Sequence, residues 1–591
     1  MAAVAHRGPD SAGTMIDGPV GFGFRRLAIV DPAGGDQPLF NATKSVAVIC
    51  NGEIFNFAEL LARHLPAGVM PRTKSDCEAL VYAYEAVGID VPRFLNGQFA
   101  FAIYDRKRSR VMLARDHFGI APLYYSLGSE ALVFGSEIKA VLRHPAVRRE
   151  VDLVGLDQVV CFPGLVSPRT MFADVRSLAP GEILLWEADQ ITARRYWDLQ
   201  YPLEQDADAS VDEASYEERL RELIGRAVRF RLSADVPVGI LVSGGLDSSL
   251  IAGIAHGMSM TEAPIRSFSV SFSDGRFSEE RYQRLLISHI ESVHTEVRLT
   301  ERQISQRLPE VIYHSEQPVK ETYNACSLAI SRAARDAGVK VLLGGEGADE
   351  LYAGYPGYKF DAFRRRDSES SVTERAFRSL LWGDADLEYE QKIGDLHAMR
   401  QRLYTGEAWA RLSTENALSG PLIDYGMVRG RARLHQRSYL DFRLRLADHL
   451  LIDHGDHMLM ANGVEGRYPF LDRDVVELSR AIPPQFKLRR FEEKYLLKKV
   501  AGGFVPDAII RRDKFGFHAP ASPAVLRSGE EWVKDMLSHD RLRKDGIFSV
   551  AAVDEMCGRY LERGFRLDAR QDNDVLMIVL SFNLLMDMYF R

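Results

Sequence analysis

Apolar residues in the first third of the chain come in short runs, not at helical spacing. The segments Gly21–Val30, Val46–Cys50, Phe99–Tyr104, Arg110–Ala114 and Ala131–Phe134 are β-branched or aromatic and are broken by Gly, Asp or Pro, which predicts short strands. A helical pattern at Cys77–Val87 lies between them. The sheet-rich region is expected to end near Tyr196–Leu199, giving a first domain over residues 1–200. Residues 203–212 are acidic and almost free of large apolar groups, so 201–212 reads as a linker. Beyond it Leu220, Leu223, Ile224, Val228 and Leu232 recur at helical spacing. Short apolar runs at Val238–Val242, Arg266–Phe272 and Val339–Leu343 then alternate with helix-length segments. That alternation predicts a parallel sheet covered on both faces, in a second domain over 213–591. The run that begins at Arg364 is mixed in charge and reads as a solvated loop.

Composition narrows the class. A chain of 591 residues exceeds one hydrophobic core, and a formal net charge of −7 gives no general attraction to nucleic acid or anionic membrane. The most apolar late stretch, Val575 to Met588, is interrupted by Ser581 and Asn583 and is too short to span a bilayer; it reads as a buried terminal helix. The five cysteines are scattered, with no CxxC pair and no disulfide framework. Together with the lack of a signal peptide at the start, this points to a reducing cytoplasm. The partners expected are small molecules, with the assembly open between monomer and homodimer.

Two loops carry the chemistry. The run Ser243-Gly-Gly-Leu-Asp-Ser-Ser249 follows an apolar strand and enters a helix pattern. Its glycines allow close backbone approach to an anion, its hydroxyls and N–H groups donate to phosphate oxygens, and Asp247 has the chemistry to hold magnesium. A second loop, Leu343-Gly-Gly-Glu-Gly-Ala-Asp-Glu-Leu-Tyr-Ala-Gly-Tyr355, also follows an apolar strand. Ligands of open α/β sheets bind beyond strand carboxyl ends, so both loops are expected to face one nucleotide, with Asp349 sharing a metal with Asp247. Taken singly, each loop has a ligand-free turn as its alternative. Asp456–Asp472 and Arg511-Arg-Asp-Lys-Phe-Gly-Phe517 read, alone, as a helix end with an Arg–carboxylate pair and as a basic turn. Lys514 in the latter is a candidate point charge for a departing pyrophosphate.

Together these residues resemble the glutamine-dependent, B-type asparagine synthetases. The likeness extends to His6-Arg-Gly-Pro-Asp10, Arg26–Asp31, Asn51-Gly-Glu-Ile-Phe-Asn56, Ser75-Asp-Cys-Glu78, Gly97–Asp105 and Lys494–Phe517. The resemblance implies an N-terminal-nucleophile αββα sandwich, a class II glutamine amidotransferase, followed by an α/β PP-loop synthetase domain. It implies ATP and Mg2+ as cofactors. Ser243, Gly244, Gly245, Asp247, Ser248 and Ser249 would hold pyrophosphate and magnesium, Asp349 would complete the metal site, and Leu241, Val270, Gly344 and Gly345 would line the nucleotide. Glu346 and Lys514 match catalytic positions. Arg26, Asn51, Gly52, Glu53 and Asp76 match a glutamine pocket in which Asn51 and Gly52 form the oxyanion hole and Glu53 and Asp76 hold the α-amino group.

Two departures bear on substrate. The family's cysteine nucleophile directly follows the initiator Met, whereas this sequence reads Met-Ala-Ala and enters His6-Arg-Gly-Pro within five residues. No other cysteine matches the nucleophile position, so the sequence as written is expected not to hydrolyse glutamine. A late start and a lost glutaminase both explain this, and the intact pocket favours the former. Gly344 stands where the family commonly carries Ser, and Val319–Asn324 and His518-Ala-Pro also differ. The acceptor acid, L-aspartate by resemblance, is therefore the open element. A tailoring amidotransferase, a β-lactam-type cyclase and a non-catalytic nucleotide-binding module are the rivals.

Overall fold

The computed structural model describes residues 1–591 except 129–130, 189, 207–211, 259–263, 274–278, 364–370, 515, 517–518, 566 and 568–573. Much of the expected linker, most of the run from Arg364, and Phe515, Phe517 and His518 therefore lie outside the described residues. The first part is built on a six-stranded sheet of β1 (Leu39–Phe40), β2 (Val46–Ile54), β3 (Gly97–Asp105), β4 (Arg110–Arg115), β5 (Glu182–Glu187) and β6 (Gln190–Arg195). Its spatial order is β6-β5-β4-β3-β2-β1, antiparallel throughout.

Strand alternation sends two sets of side chains to two different layers. Val48, Cys50, Phe99, Phe101 and Ile103 pack under the helices α1 (Phe57–His64) and α2 (Ala79–Val87). The intervening Ala47, Ile49, Ala100 and Ala102 face the hairpin Ser11–Asp17/Val20–Arg26 and a small sheet carrying Leu123, Tyr125 and Leu178. Bulky residues thus meet helices, and mostly small ones meet the flatter sheet surface. Because both faces are covered, the central strands show continuous apolar runs, which is why they were legible in the sequence.

The helix predicted beyond residue 212 is α3 (Glu213–Leu232), capped by Asp212, whose carboxylate accepts from Ser215 N at 2.7 Å. Its stripe of Leu220, Leu223, Ile224 and Val228 is buried against a parallel sheet of β7 (Val238–Leu241), β8 (Arg266–Phe272), β9 (Val293–Leu299), β10 (Val341–Leu343) and β11 (Glu465–Arg467). The order is β9-β8-β7-β10-β11, all parallel. The chain therefore steps one way from β7 to β9 and the other way to β10 and β11. The switch falls between β7 and β10, where a crevice opens at the strand carboxyl ends. Helix α4 (Leu246–Met258) leaves β7, and α5 (Tyr323–Asp336) precedes β10. The final apolar stretch forms α6 (Val575–Leu585), buried along its whole length. Among the described residues no helix is long and apolar enough to cross a membrane.

The two parts meet through buried polar contacts. Arg7 makes a two-pronged pair with Asp456 at 2.6 and 2.9 Å. Gln98 Nε2 donates to Gly466 O at 3.0 Å. Asp472 accepts from Arg231 at 2.9 Å and from Asn96 at 3.1 Å, and also caps the following helix at Asp474 N. Removing one member strands a buried cation, so Asp472→Ala should cost about 3–5 kcal/mol. Thermal unfolding checks this: an unchanged midpoint for the variant contradicts the assignment.

Candidate functional site

Of the residues predicted for pyrophosphate, Ser243, Gly244 and Gly245 lie in the loop between β7 and α4, and Asp247, Ser248 and Ser249 in the first turn of α4. Gly244 has φ of +83°, a conformation that side chains other than Gly rarely adopt. Ser248 Oγ accepts from Ser243 N at 3.2 Å and sits 3.0 Å from Ser243 Oγ, while Ser243 Oγ accepts from Gly245 N at 3.2 Å. Ser249 Oγ donates to Gly245 O at 2.6 Å. Hydroxyls thus hold the loop in a curled form, with the N–H groups of a helix start behind it. Leu241 and Val270 sit on adjacent strands of the same sheet, as expected for one wall of a nucleotide site.

The second loop docks on the first. A Cβ at Gly345 would lie 3.0 Å from both Asp247 Cβ and Ser248 N, so the two backbones are in contact there. Asp247 and Asp349 converge on Lys494, whose Nζ lies 2.5 Å from each. Lys514 Nζ lies 2.7 Å from Asp349 and 4.0 Å from Asp247. Burial opposes charge on Asp349, yet the two lysines prevail and hold its carboxyl well below the usual range; Lys514 is raised in return. Asp247 Oδ1 and Glu346 Oε2 are buried with no hydrogen-bond partner among the described residues. Unsatisfied hard oxygens beside a phosphate-binding loop are the donor set that magnesium takes.

Glu346 is a different kind of carboxyl. Burial is the main cause that pushes it up to about 7, with Asp247 and Asp349 adding to the effect, so near neutrality it can carry or release a proton. Its position depends on Gly344: a Cβ there would stand 2.2 Å from Glu346 Oε2 and 3.0 Å from Tyr468. The missing serine is therefore more than a lost hydroxyl, because the vacated space is filled by the Glu346 carboxyl.

Arg26, Asn51, Gly52, Glu53 and Asp76, predicted as one pocket, line one cavity of about 290 Å³. Gly52 has φ of +122°, and a Cβ would meet Gln98 O at 2.0 Å, so only glycine fits there. Burial pushes both Glu53 and Asp76 up, and their mutual repulsion adds to the effect on Glu53. Two buried carboxyls sharing a cavity favour an incoming cation such as an ammonium group. Arg26 braces the loop that closes the pocket, donating to Val30 O and Asp31 O at 2.9 and 2.8 Å. A second cavity of about 20 Å³, larger than the roughly 10–15 Å³ that one water needs, is lined by Asn51, Gly52, Gln98, Asp456, Gly466 and Tyr468. It shares Asn51, Gly52, Met460 and Glu465 with the lining of the first cavity, and Tyr468 of its lining lies beside Gly344, as does the Glu346 carboxyl.

Cys50 and Cys77 also line the large cavity, but both are buried. Hydrogen bonding with Cys50, burial and the charge of Asp76 push the Cys77 thiol well up, the opposite of an activated thiolate. Two residues of this cluster carry no role in the sequence reading. Lys494 lies within a segment that resembles the family but has no role assigned there. Arg512 belongs to the expected basic turn, yet it donates to Gly244 O at 2.8 Å and to Glu279 at 2.7 Å while covering the Tyr282 ring. The only local signal for Arg512 is its place two residues before Lys514, and Lys494 has none.

Comparison with known proteins matches two family models to successive parts of the chain. The asparagine synthase family model matches residues 219–587 and the glutamine amidotransferase domain model matches residues 1–197. Glutamine-hydrolysing asparagine synthetase 1 of Bacillus subtilis is 30% identical over 584 residues, covering 93% of this chain and 88% of that one. Asparagine synthetase 3 of the same organism is 30% identical, covering 95% and 89%. Amidase chyE of Penicillium rubens is 29% identical, covering 88% and 84%.

Ellman's reagent at pH 8 should leave Cys50, Cys77, Cys161 and Cys326 unlabelled in the native protein and reach only the half-buried Cys557. Counting labelled thiols by mass before and after denaturation checks this; rapid native labelling of Cys77 contradicts the geometry.

Proposed function

This chain belongs to the asparagine synthase family, and we propose that it joins ammonia to a carboxylic acid through an acyl-adenylate made from ATP. The observation that carries the reading is the convergence of Asp247, Asp349, Lys494, Lys514 and Glu346 from separate segments at the crevice beyond β7 and β10. A carboxylate is a poor electrophile at neutral pH. Its oxygen therefore attacks the α-phosphorus of ATP, and pyrophosphate leaves into the Ser243–Ser249 loop. Lys514 and Lys494 face the charge that develops on the departing group. Magnesium, held by Asp247 and Asp349, supplies further positive charge against the phosphates when bound. Ammonia then adds to the acyl carbon, Glu346 takes a proton from the nitrogen, and AMP leaves as the amide forms.

We assign the amidotransferase part to residues 1–200 as an N-terminal-nucleophile-type sandwich, and the synthetase part to 213–591. The acceptor proposed is L-aspartate, and the setting cytoplasmic. Glutamine serves as nitrogen source only where a cysteine precedes the present start; the Arg26–Asp76 cavity and the small cavity behind Asn51 support that route for released ammonia. Gly344 and the similarity to chyE, named an amidase, favour a second reading in which the acceptor is another acid and the protein a tailoring amide synthetase.

Pyrophosphate release from ATP with L-aspartate and ammonium, set against glutamine, tests the assignment. Release with ammonium alone is expected for the chain as written; no release with aspartate from either source turns the acceptor to another acid. Lys514→Ala should lower kcat by about 100- to 1,000-fold in the same assay. Glu346→Gln should cost about 100-fold in amide formation; wild-type turnover in that variant removes Glu346 from the mechanism.

A further inference from the structure

The segment Phe442–Asp456 is a π-helix of 15 residues, a rare form that marks functional sites when it occurs within helices. Its wide turn has a direct consequence. In an α-helix residues i and i+5 point about 140° apart, whereas the i→i+5 repeat brings His449 and His454 onto one face. Their rings lie 4.2 Å apart between centroids, and both are buried. Asp453 sits behind them, its Oδ2 at 3.8 Å from His449 Nδ1 and 3.9 Å from His454 Nε2. Asn324 Nδ2 fixes that carboxylate from α5 with a 2.9 Å bond to Oδ1. The exposed Glu321 comes in from the turn before α5, and ligand atoms of Glu321, His449 and His454 all lie within 4.8 Å of one another.

We propose that Glu321, His449 and His454 form a binding site for a zinc-class divalent ion beside the synthetase crevice. Two imidazole nitrogens and one carboxylate oxygen suit a borderline first-row metal such as zinc and are a poor match for magnesium, which prefers oxygen donors. A carboxylate behind ligating imidazoles is the usual means of fixing their orientation. Tetrahedral zinc needs donor atoms about 3.3 Å apart; Glu321, on the exposed segment, supplies the movement, and a fourth coordination position remains. Tyr323 connects the two regions: its ring lies 4.9 Å from that of His454, and Glu346 acts electrostatically on its hydroxyl. The nearest cations are engaged elsewhere, Lys320 with Phe162 O and Arg445 with Glu390 at 3.0 Å. The other grouping of this kind, His6, Glu137 and His314, carries no such proposal. Its carboxylate is already held by Arg7 and by Lys139 at 3.3 and 2.6 Å.

The metal site does not depend on the amide chemistry, and its test reads metal content. Full-length protein is equilibrated with zinc in excess magnesium, which fills the Asp247 and Asp349 carboxylates, then desalted and analysed for metal by mass spectrometry. About one zinc per chain is expected in the wild type, and less than about a tenth of that in Glu321→Gln and His454→Asn. Glu321 is exposed, so Glu321→Gln should keep the unfolding midpoint of the metal-free wild type while losing the upward shift that zinc gives. Cobalt in place of zinc should give the visible bands of a tetrahedral nitrogen–oxygen site in the wild type alone. Failure of the wild type to retain zinc, or equal retention by both variants, overturns the proposal.

Discussion

Arg467 touches both sites at once, and the arrangement of the molecule depends on it. Its side chain is fully buried and donates to Arg231 O at 3.1 Å, Ser233 O at 3.0 Å and Glu465 at 2.8 Å, with Glu53 paired at 2.9 Å. Its own carbonyl accepts from Gly344 N at 2.9 Å. Burying a guanidinium costs several kcal/mol unless its donors are met, so this position tolerates only a geometry in which both parts of the chain are in place. One residue thereby registers the glutamine-type pocket, through Glu53, against the loop that carries Glu346, through Gly344.

The contrast between the carboxyls follows from what surrounds each. Asp349 is half-buried yet held well below the usual carboxylate range because two lysines face it, whereas Glu346, half-buried nearby, is pushed up to about 7 by desolvation and the two aspartates. Two acids three residues apart thus divide the work between holding positive charge and moving a proton. The division depends on Gly344, since any side chain there would displace the Glu346 carboxyl.

Much of this could be read from the sequence. Strands β2, β3, β4, β7, β8 and β10 are legible as short apolar runs because both sheet faces are covered there, whereas β5 is not among the expected segments and β1 and the fully exposed β6 give no such run. The Ser243–Ser249 and Gly344–Tyr355 loops were legible because each sets glycines and polar residues directly after an apolar strand, a pattern of neighbouring residues. Arg26, Asn51, Gly52, Glu53 and Asp76 were grouped by resemblance, and the fold brings them to one cavity. Strand β9 was not legible, since it is an edge strand whose half-exposed residues alternate with charged ones. Strand β11 is hidden because Glu465-Gly-Arg467 has no apolar residue, its two charged side chains being paired with each other.

The sequence by itself determined most of the apolar segments that become elements and the Gly- and hydroxyl-rich make-up of the two loops, since those are properties of neighbouring residues. Only the tertiary structure decided which distant charges meet. Lys494 reaches Asp247 from 247 positions away, Arg7 finds Asp456 across the interface, and the π-helix turns His449 and His454 onto one face toward Glu321. Side-chain pairing across such separations depends on how packed layers align. No local pattern of residues encodes that alignment, and burial then fixes it by making every unpaired charge costly.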